Sequence, residues 1–179
     1  MTPVNCYFDG SCDPNPGGEM GWAWIVDGTS KDQGDVPESS RNSNNVAEYM
    51  AAYFLLAEIC RLLEIKAISG HIIIHGDSKL VINQMSGMWR IKGGLYKPWA
   101  EKSEALLAKI WQEHSVKITF KWIRRDKNTE ADALSKTHKK DEIHISAEWL
   151  KVTTKRMVEE QKITLEELVD YVMEVKNYN

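Results

Sequence analysis

The segment NNVAEYMAAYFLLAEIC, residues 44–60, predicts a long helix and raises the question of why Glu48 lies within it. Apolar residues recur there at three- and four-residue spacing, which is typical of a helix with one buried face. From Glu48 that spacing leads along one stripe, to Ala51, Ala52, Leu55, Ile59 and Leu62. Glu48 is therefore expected on the inward side, where a carboxylate is costly unless something compensates it. One explanation is the helix dipole, which favours acids in a first turn; the other is a partner elsewhere in the chain.

The composition is that of a globular protein with one ordinary domain and room for an appendage. The chain has 179 residues, of which 42% are hydrophobic and 27% charged. No apolar run of membrane-spanning length and no signal peptide is visible, so we expect a cytoplasmic protein without membrane contact. Three cysteines without paired spacing favour a reducing compartment and argue against a zinc site.

The net charge of −3 conceals a basic middle section. Residues 1–60 carry nine acids against Lys31 and Arg41, whereas residues 61–140 carry sixteen Lys and Arg against eight acids. A basic section within an acidic chain indicates either a local anion-binding face or an ordinary solvated surface.

The order of the predicted elements indicates an α/β fold with a mixed sheet. The strands are predicted in the segments VNCYFDG, GWAWIVDG, KDQGDVPE, SGHIIIHGD and VKITFKWI. The third is expected at an edge because it contains Pro37, and the fourth is apolar enough to be buried on both faces. Helices are predicted for residues 44–64 and for SKLVINQMS, KPWAEKSEALLAKIWQE and NTEADALSK, the last capped by Asn128 or Thr129. Three early strands favour a meander, and the later strand–helix alternation favours parallel pairing.

Four acids stand at the ends of these elements. Asp9 ends the first strand, Asp77 ends the buried strand, Glu48 is near the start of the long helix, and Asp132 is in the first turn of the last helix. Each has an ordinary explanation as a turn residue or as an acid near a helix N-terminus. Gathered at one end of the sheet, however, they would raise one another's pKa. The usual remedy is a hard divalent cation bound by oxygen ligands.

Four segments in order resemble type 1 ribonuclease H, over residues 1 to about 138. They are YFDGSCDPNPGG, NNVAEYMAA, IIIHGDSKLVINQ and IRRDKNTEADALS, and each carries one of the four acids. The resemblance implies a five-stranded mixed sheet flanked by helices. It also implies cleavage of the RNA strand of RNA–DNA hybrids, leaving 5′-phosphate and 3′-hydroxyl ends. Asp9, Glu48, Asp77 and Asp132 would be the catalytic acids and metal ligands, working with two Mg²⁺ ions for which Mn²⁺ can substitute.

The resemblance also assigns substrate-binding positions. Readers of the RNA 2′-hydroxyl, which distinguishes RNA from DNA, would be Cys12, Asn15, Asn44 and Asn45. Arg41 and Ser43 match a phosphate pocket for the DNA strand. Trp89 belongs to a reduced form of a basic loop, where its ring would either pack or contact the DNA backbone, while Trp99 is expected to pack.

The chain departs from the common family pattern at two places. Lys79, which we expect to bind substrate, stands where many members have Gln. The segment IRRDKN lacks the histidine of a flexible loop before the last acid. The second departure is similar to a family branch with Arg, Asn and Ala-Asp at this place. Arg125 is then a candidate either for contacting phosphate or for holding Asp132.

Other functions remain open from the sequence. One alternative is a hybrid-binding module without catalysis, and another is a resolvase or transposase nuclease on the same fold. A reverse-transcriptase fragment is a third. The site residues, rather than the fold, distinguish these options.

We expect residues 1–140 to form the catalytic domain and residues 141–179 a helical extension. Within the extension, the segment ITLEELVDYVMEV begins with a capping box from Thr164 to Glu167 and has an apolar stripe. That stripe must pack against the main domain, a second copy or another protein. The expected protein is accordingly a monomer, or a dimer formed through the extension.

Overall fold

Five strands form one sheet in the computed structural model, which describes residues 2–136. The strands are β1 (Val4–Asp13), β2 (Glu19–Val26), β3 (Ser30–Val36), β4 (His71–Gly76) and β5 (Lys117–Trp122). Their spatial order is β3-β2-β1-β4-β5. The first three pair antiparallel, and β4 pairs parallel with both β1 and β5. The predicted mixed sheet, with its early meander and β3 at an edge, is confirmed.

Four helices accompany the sheet in the described part of the chain. They are α1 (Asn44–Glu64), α2 (Lys79–Met85), α3 (Lys97–Glu113) and α4 (Thr129–Leu134). None of them is both long and apolar enough to cross a bilayer. The predicted extension at residues 141–179, with its helices, lies outside the described residues.

The inward stripe of α1 forms much of the core. Its predicted members Ala51, Leu55 and Ile59 are fully buried between the helix and the sheet. Close packing depends on Gly10 of β1, because a Cβ at Gly10 would lie 2.2 Å from the backbone nitrogen of Glu48. Only a glycine lets the two backbones approach so closely, and this approach brings Glu48 against β1.

The prediction that β4 is buried on both faces is confirmed only in part. Ile72 and Ile74 are buried on one face. On the other face His75 is buried, whereas His71 and Ile73 are partly exposed. The apolar run suggested two covered faces, but in a strand only alternate residues share a face. The expected packing of Trp99 is found, since its ring contacts Tyr53 and Phe54.

Candidate active site

Three carboxylates meet at one edge of the sheet. Asp9 lies within β1, Asp77 follows β4, and Glu48 lies in α1. The prediction that Asp9 ends the first strand is wrong, because β1 stays paired with β2 as far as Asp13. One oxygen atom from each lies within 4.8 Å of the others. Because β1 and β4 run parallel with Tyr7 paired to His75, Asp9 and Asp77 lie at equivalent positions two residues further along, and the contact at Gly10 brings Glu48 to the same place. The structure therefore brings together three of the four predicted acids as a single group.

Two carboxylates of this group, those of Asp9 and Glu48, disfavour ionisation when no cation compensates them. Burial raises the pKa of Asp9 to about 7, and the charges of Asp77 and Asp132 add to this effect. Burial, followed by repulsion from Asp9 and Asp77, holds the pKa of Glu48 well above its usual range. A site of this kind has an excess of negative charge that a bound cation would offset.

Two oxygen atoms in the group have no hydrogen-bond donor among the described residues. They are Oε2 of Glu48 and Oδ1 of Asp77, and both are shielded from solvent. Buried polar atoms are normally paired, so an exception at a site of clustered charge needs an explanation. Mg²⁺ prefers oxygen ligands, and carboxylate oxygens that accept no hydrogen bond are available to bind it. The residues present therefore fit a divalent cation.

Asp132 lies beside this group but is occupied by two cationic side chains. Arg125 donates to its Oδ1 atom at 2.5 Å and Lys136 donates to its Oδ2 atom at 2.5 Å. Burial tends to raise the pKa of Asp132, but the bonds from Lys136 and Arg125 outweigh it and leave the pKa below its usual value. Of the two predicted roles for Arg125, the structure shows the contact with Asp132.

The positions predicted to read the 2′-hydroxyl lie where the loop after β1 meets the start of α1. The side chain of Asn15 accepts a hydrogen bond from the backbone of Asn44 at 3.0 Å, and the side chain of Asn44 accepts one from the backbone of Cys12 at 2.8 Å. Both asparagines and Asn45 are exposed. The Cys12 thiol is buried and turned towards the carbonyl groups of Pro14 and Gly18, so its backbone is the part nearer the other predicted readers.

Of the other predicted substrate-binding residues, Arg41, Lys79 and Trp89 are exposed and Ser43 is partly buried. Arg41 is exposed, and Ser43 is the N-cap of α1, where its side chain accepts from the backbone of Val46 at 3.3 Å. Lys79 is exposed and places its ammonium group 4.8 Å from the centre of the Trp122 ring. The side chain of Trp89 is half-exposed, which leaves its predicted role in binding untested.

Comparisons with known proteins agree with this geometry. The sequence profile of the RNase H family matches residues 1–140. The chain belongs to the RNase H family. Its expected assignment to type 1 is confirmed by the fold and by the relatives described next.

Two curated relatives and one solved structure illustrate the similarity of this RNase H family member. YpeP of Bacillus subtilis, described as an uncharacterized protein, is 33% identical over 138 residues, which are 74% of this chain and 57% of YpeP. Ribonuclease HI of Brucella melitensis is 27% identical over 147 residues, covering 76% of this chain and 89% of the relative. LC11-RNase H1, solved in complex with an RNA/DNA hybrid, has a TM-score of 0.60 and 26% identity, covering 73% of this chain and 92% of that protein. The chain thus spans little more than half the length of YpeP.

Sequence reasoning missed two residues that support the carboxylates of this RNase H domain. Ser135 donates to Asp9, and Lys136 donates to Asp132. Lys136 could have been found, since it lies four residues after Asp132, the spacing of a helical ion pair. Ser135 lies 126 residues from Asp9 and carried no such signal.

Proposed function

We propose that this protein is an endoribonuclease that hydrolyses the RNA strand of RNA–DNA hybrids. The observation that carries the proposal is the group of Asp9, Glu48 and Asp77, which gathers buried carboxylate oxygens without donors at one sheet edge. Membership of the RNase H family supports it, as does the hybrid bound by LC11-RNase H1.

The carboxylates would hold two Mg²⁺ ions, or Mn²⁺ in their place, with Asp132 completing the set. Two such ions supply an activated water and stabilise charge on the leaving 3′ oxygen, consistent with 5′-phosphate and 3′-hydroxyl products. The protein's own contribution is to hold negatively charged oxygens in place before the substrate arrives. Asp9 and Glu48 do this from β1 and α1, two elements locked together at Gly10.

In this proposal Arg125 and Lys136 both stabilise Asp132, and Arg125 also contacts the substrate. Both neutralise Asp132 in the absence of other cations, which keeps its carboxylate ionised and ordered. Because Arg125 is exposed, it can contact a substrate phosphate as well as Asp132.

Selectivity for hybrids would come from the exposed asparagines and the cationic side chains at the same edge. The side-chain oxygens of Asn15 and Asn44 accept hydrogen bonds from the protein backbone, which holds both amide groups at the junction of the loop and the helix. Their nitrogen donors bond to no described residue. We propose that these donors and Asn45 read the RNA strand, with Cys12 taking part through its backbone. Arg41, Ser43, Lys79 and Trp89 would contact the backbones of the two strands.

The first test is a comparison of substrates in the presence of Mg²⁺. Labelled RNA–DNA hybrid, double-stranded RNA, double-stranded DNA and single-stranded RNA are incubated with the protein, and the products and their ends are mapped. Cleavage confined to the RNA strand of the hybrid is expected. Binding of the hybrid without cleavage would instead identify a binding module.

The second test is the variant Asp77→Asn, which removes one charge from the carboxylate group. Its cleavage rate should fall by at least roughly 10³-fold, because a metal contributes several kcal/mol to the transition state and each ~1.4 kcal/mol is tenfold. Asp27→Asn makes the same chemical change at an exposed position outside the group and should retain the parent rate. Near-normal turnover by a folded Asp77→Asn protein would contradict the metal-dependent mechanism.

A further inference from the structure

Helix α4 is attached to β1 by three side-chain hydrogen bonds that surround Asp9. At its start, Asn128 donates to the carbonyl of Phe8 at 2.9 Å. At its end, the hydroxyl of Ser11 donates to the carbonyl of Ser135 at 2.7 Å. Between these, the hydroxyl of Ser135 donates to Oδ2 of Asp9 at 2.5 Å. The helix is therefore fixed to the strand on both sides of a residue in the carboxylate group.

The bond from Ser135 to Asp9 is shielded from water. Ser135 is 1% exposed and Asp9 is 2% exposed. The same hydroxyl also lies 3.1 Å from the carbonyl of Asp132, but a serine has only one proton to donate. The carboxylate is the nearer and the more highly charged acceptor, so the proton is directed to Asp9.

The bond has a direct consequence for the carboxylate group. With Oδ2 of Asp9 engaged by Ser135, rotation of the carboxylate is restricted and the remaining oxygen is held in a fixed direction. The Ser135 hydroxyl thus limits the orientations that the Asp9 carboxylate would have to give up when it binds a cation.

We propose that Ser135 is a positioning residue, which acts through Asp9 to order the carboxylate group for a divalent cation. The inference rests on the proposed function, since it requires that Asp9, Glu48 and Asp77 bind Mg²⁺. Partners of metal ligands commonly contribute about 10- to 100-fold to metal affinity, although they never touch the metal.

The decisive measurement is Mg²⁺ binding by isothermal titration calorimetry, with the full chain and without nucleic acid. Ser135→Ala should weaken Mg²⁺ binding by roughly tenfold. Ser135→Thr keeps the hydroxyl and should bind within about threefold of the parent. Ser103→Ala is the matched control, since Ser103 is equally buried but its hydroxyl bonds within α3, to the carbonyl of Trp99. Its Mg²⁺ affinity should equal that of the parent chain.

A further variant separates ordering of Asp9 from attachment of the helix. Ser11→Ala removes the bond to the carbonyl of Ser135 but leaves the bond to Asp9. It should lower the melting temperature with little change in Mg²⁺ affinity. In cleavage assays, Ser135→Ala should need roughly tenfold more Mg²⁺ for half-maximal rate, while KM for the hybrid stays at the parent value.

Three results would overturn the inference. Equal Mg²⁺ affinity in Ser135→Ala and the parent would show that the hydroxyl does not matter to the site. An equal loss in Ser11→Ala and Ser135→Ala would show that attachment of α4, and not the contact with Asp9, is responsible. A parent chain that binds no Mg²⁺ would remove the proposed metal site as well, a failure distinct from the other two.

Discussion

Replacing Asp9 by Asn should make the metal-free protein more stable at pH 8, although it should also abolish function. The folded-state pKa of Asp9 is about 7, against an ordinary value of 3.8. The folded protein therefore holds this proton more tightly than the unfolded chain does. Asp9 makes its full contribution to the free energy of unfolding below about pH 4. This contribution is lost as the pH rises towards 7, because in that interval the Asp9 carboxyl ionises in the unfolded chain but stays protonated in the folded protein.

The magnitude follows from the difference between the two pKa values. Roughly three units at about 1.4 kcal/mol each give a destabilisation on the order of 4 kcal/mol above pH 7. Asn carries no charge, so Asp9→Asn removes this cost and also relieves the repulsion that Asp9 exerts on Glu48. Against this, the charge-assisted bond from Ser135 becomes a weaker neutral one, which costs about 1 kcal/mol. A net gain of about 2 to 4 kcal/mol in the free energy of unfolding is expected at pH 8.

Urea denaturation in EDTA at pH 4, 6 and 8 measures this effect. The difference between Asp9→Asn and the parent should be small at pH 4 and should grow as the pH rises. Asp27→Asn, at an exposed position, is the control for the Asp-to-Asn change and should show no such growth. Adding Mg²⁺ at pH 8 should stabilise the parent but not Asp9→Asn, since only the parent keeps the complete site. A variant that is less stable than the parent at pH 8 in EDTA, or a difference independent of pH, would refute the reasoning.

Three further predictions concern the substrate, Asp132 and the C-terminal extension. Arg41→Ala should weaken hybrid binding and lower the slope of log affinity against log salt concentration by about 1, because one phosphate contact is lost; an unchanged slope would reject Arg41 as a phosphate ligand. Lys136→Met should lower the Mg²⁺ concentration for half-maximal cleavage by roughly two- to fivefold, because it removes a cation that competes for Asp132. If the variant instead needs more Mg²⁺ than the parent, Lys136 serves mainly to order the Asp132 carboxylate. Truncation after Lys140 should leave hybrid cleavage measurable and lower the melting temperature. A folded truncated protein without cleavage would show that the extension takes part in catalysis. If the full chain dimerises and the truncated protein does not, the extension is an assembly element.

The elements of this fold could be predicted closely because its sequence patterns agree with its local structure. The predicted helix at residues 44–64 is observed as Asn44–Glu64, and KPWAEKSEALLAKIWQE is observed as a helix over the same seventeen residues. Asn128 is the N-cap position of α4, as expected, but its side chain bonds to the carbonyl of Phe8 instead of capping the helix. A local rule placed Asn128 correctly, whereas its hydrogen-bond partner depended on a strand more than a hundred residues away.

Glu48 shows how tertiary structure decided between two explanations that the sequence left open. The helix dipole favours acids in the first turn of a helix, but α1 begins at Asn44 after an N-cap at Ser43, and its first turn contains no acid. Glu48 is the fifth residue of the helix and points to Asp9 and Asp77. The dipole is therefore not the explanation of this residue, and its partners are the other carboxylates.

The sequence by itself determined the elements, their order and the four acids, because periodicity, turn residues and spaced motifs are properties of local segments. Only the tertiary structure decided how those acids differ. Asp9, Glu48 and Asp77 form one group, while Asp132 lies beside it and pairs with Arg125 and Lys136. It also decided that Ser135 supports Asp9. Contacts of this kind depend on which distant segments pack together and on how far each side chain is shielded from water, and neither quantity can be read from the spacing of residues along the chain.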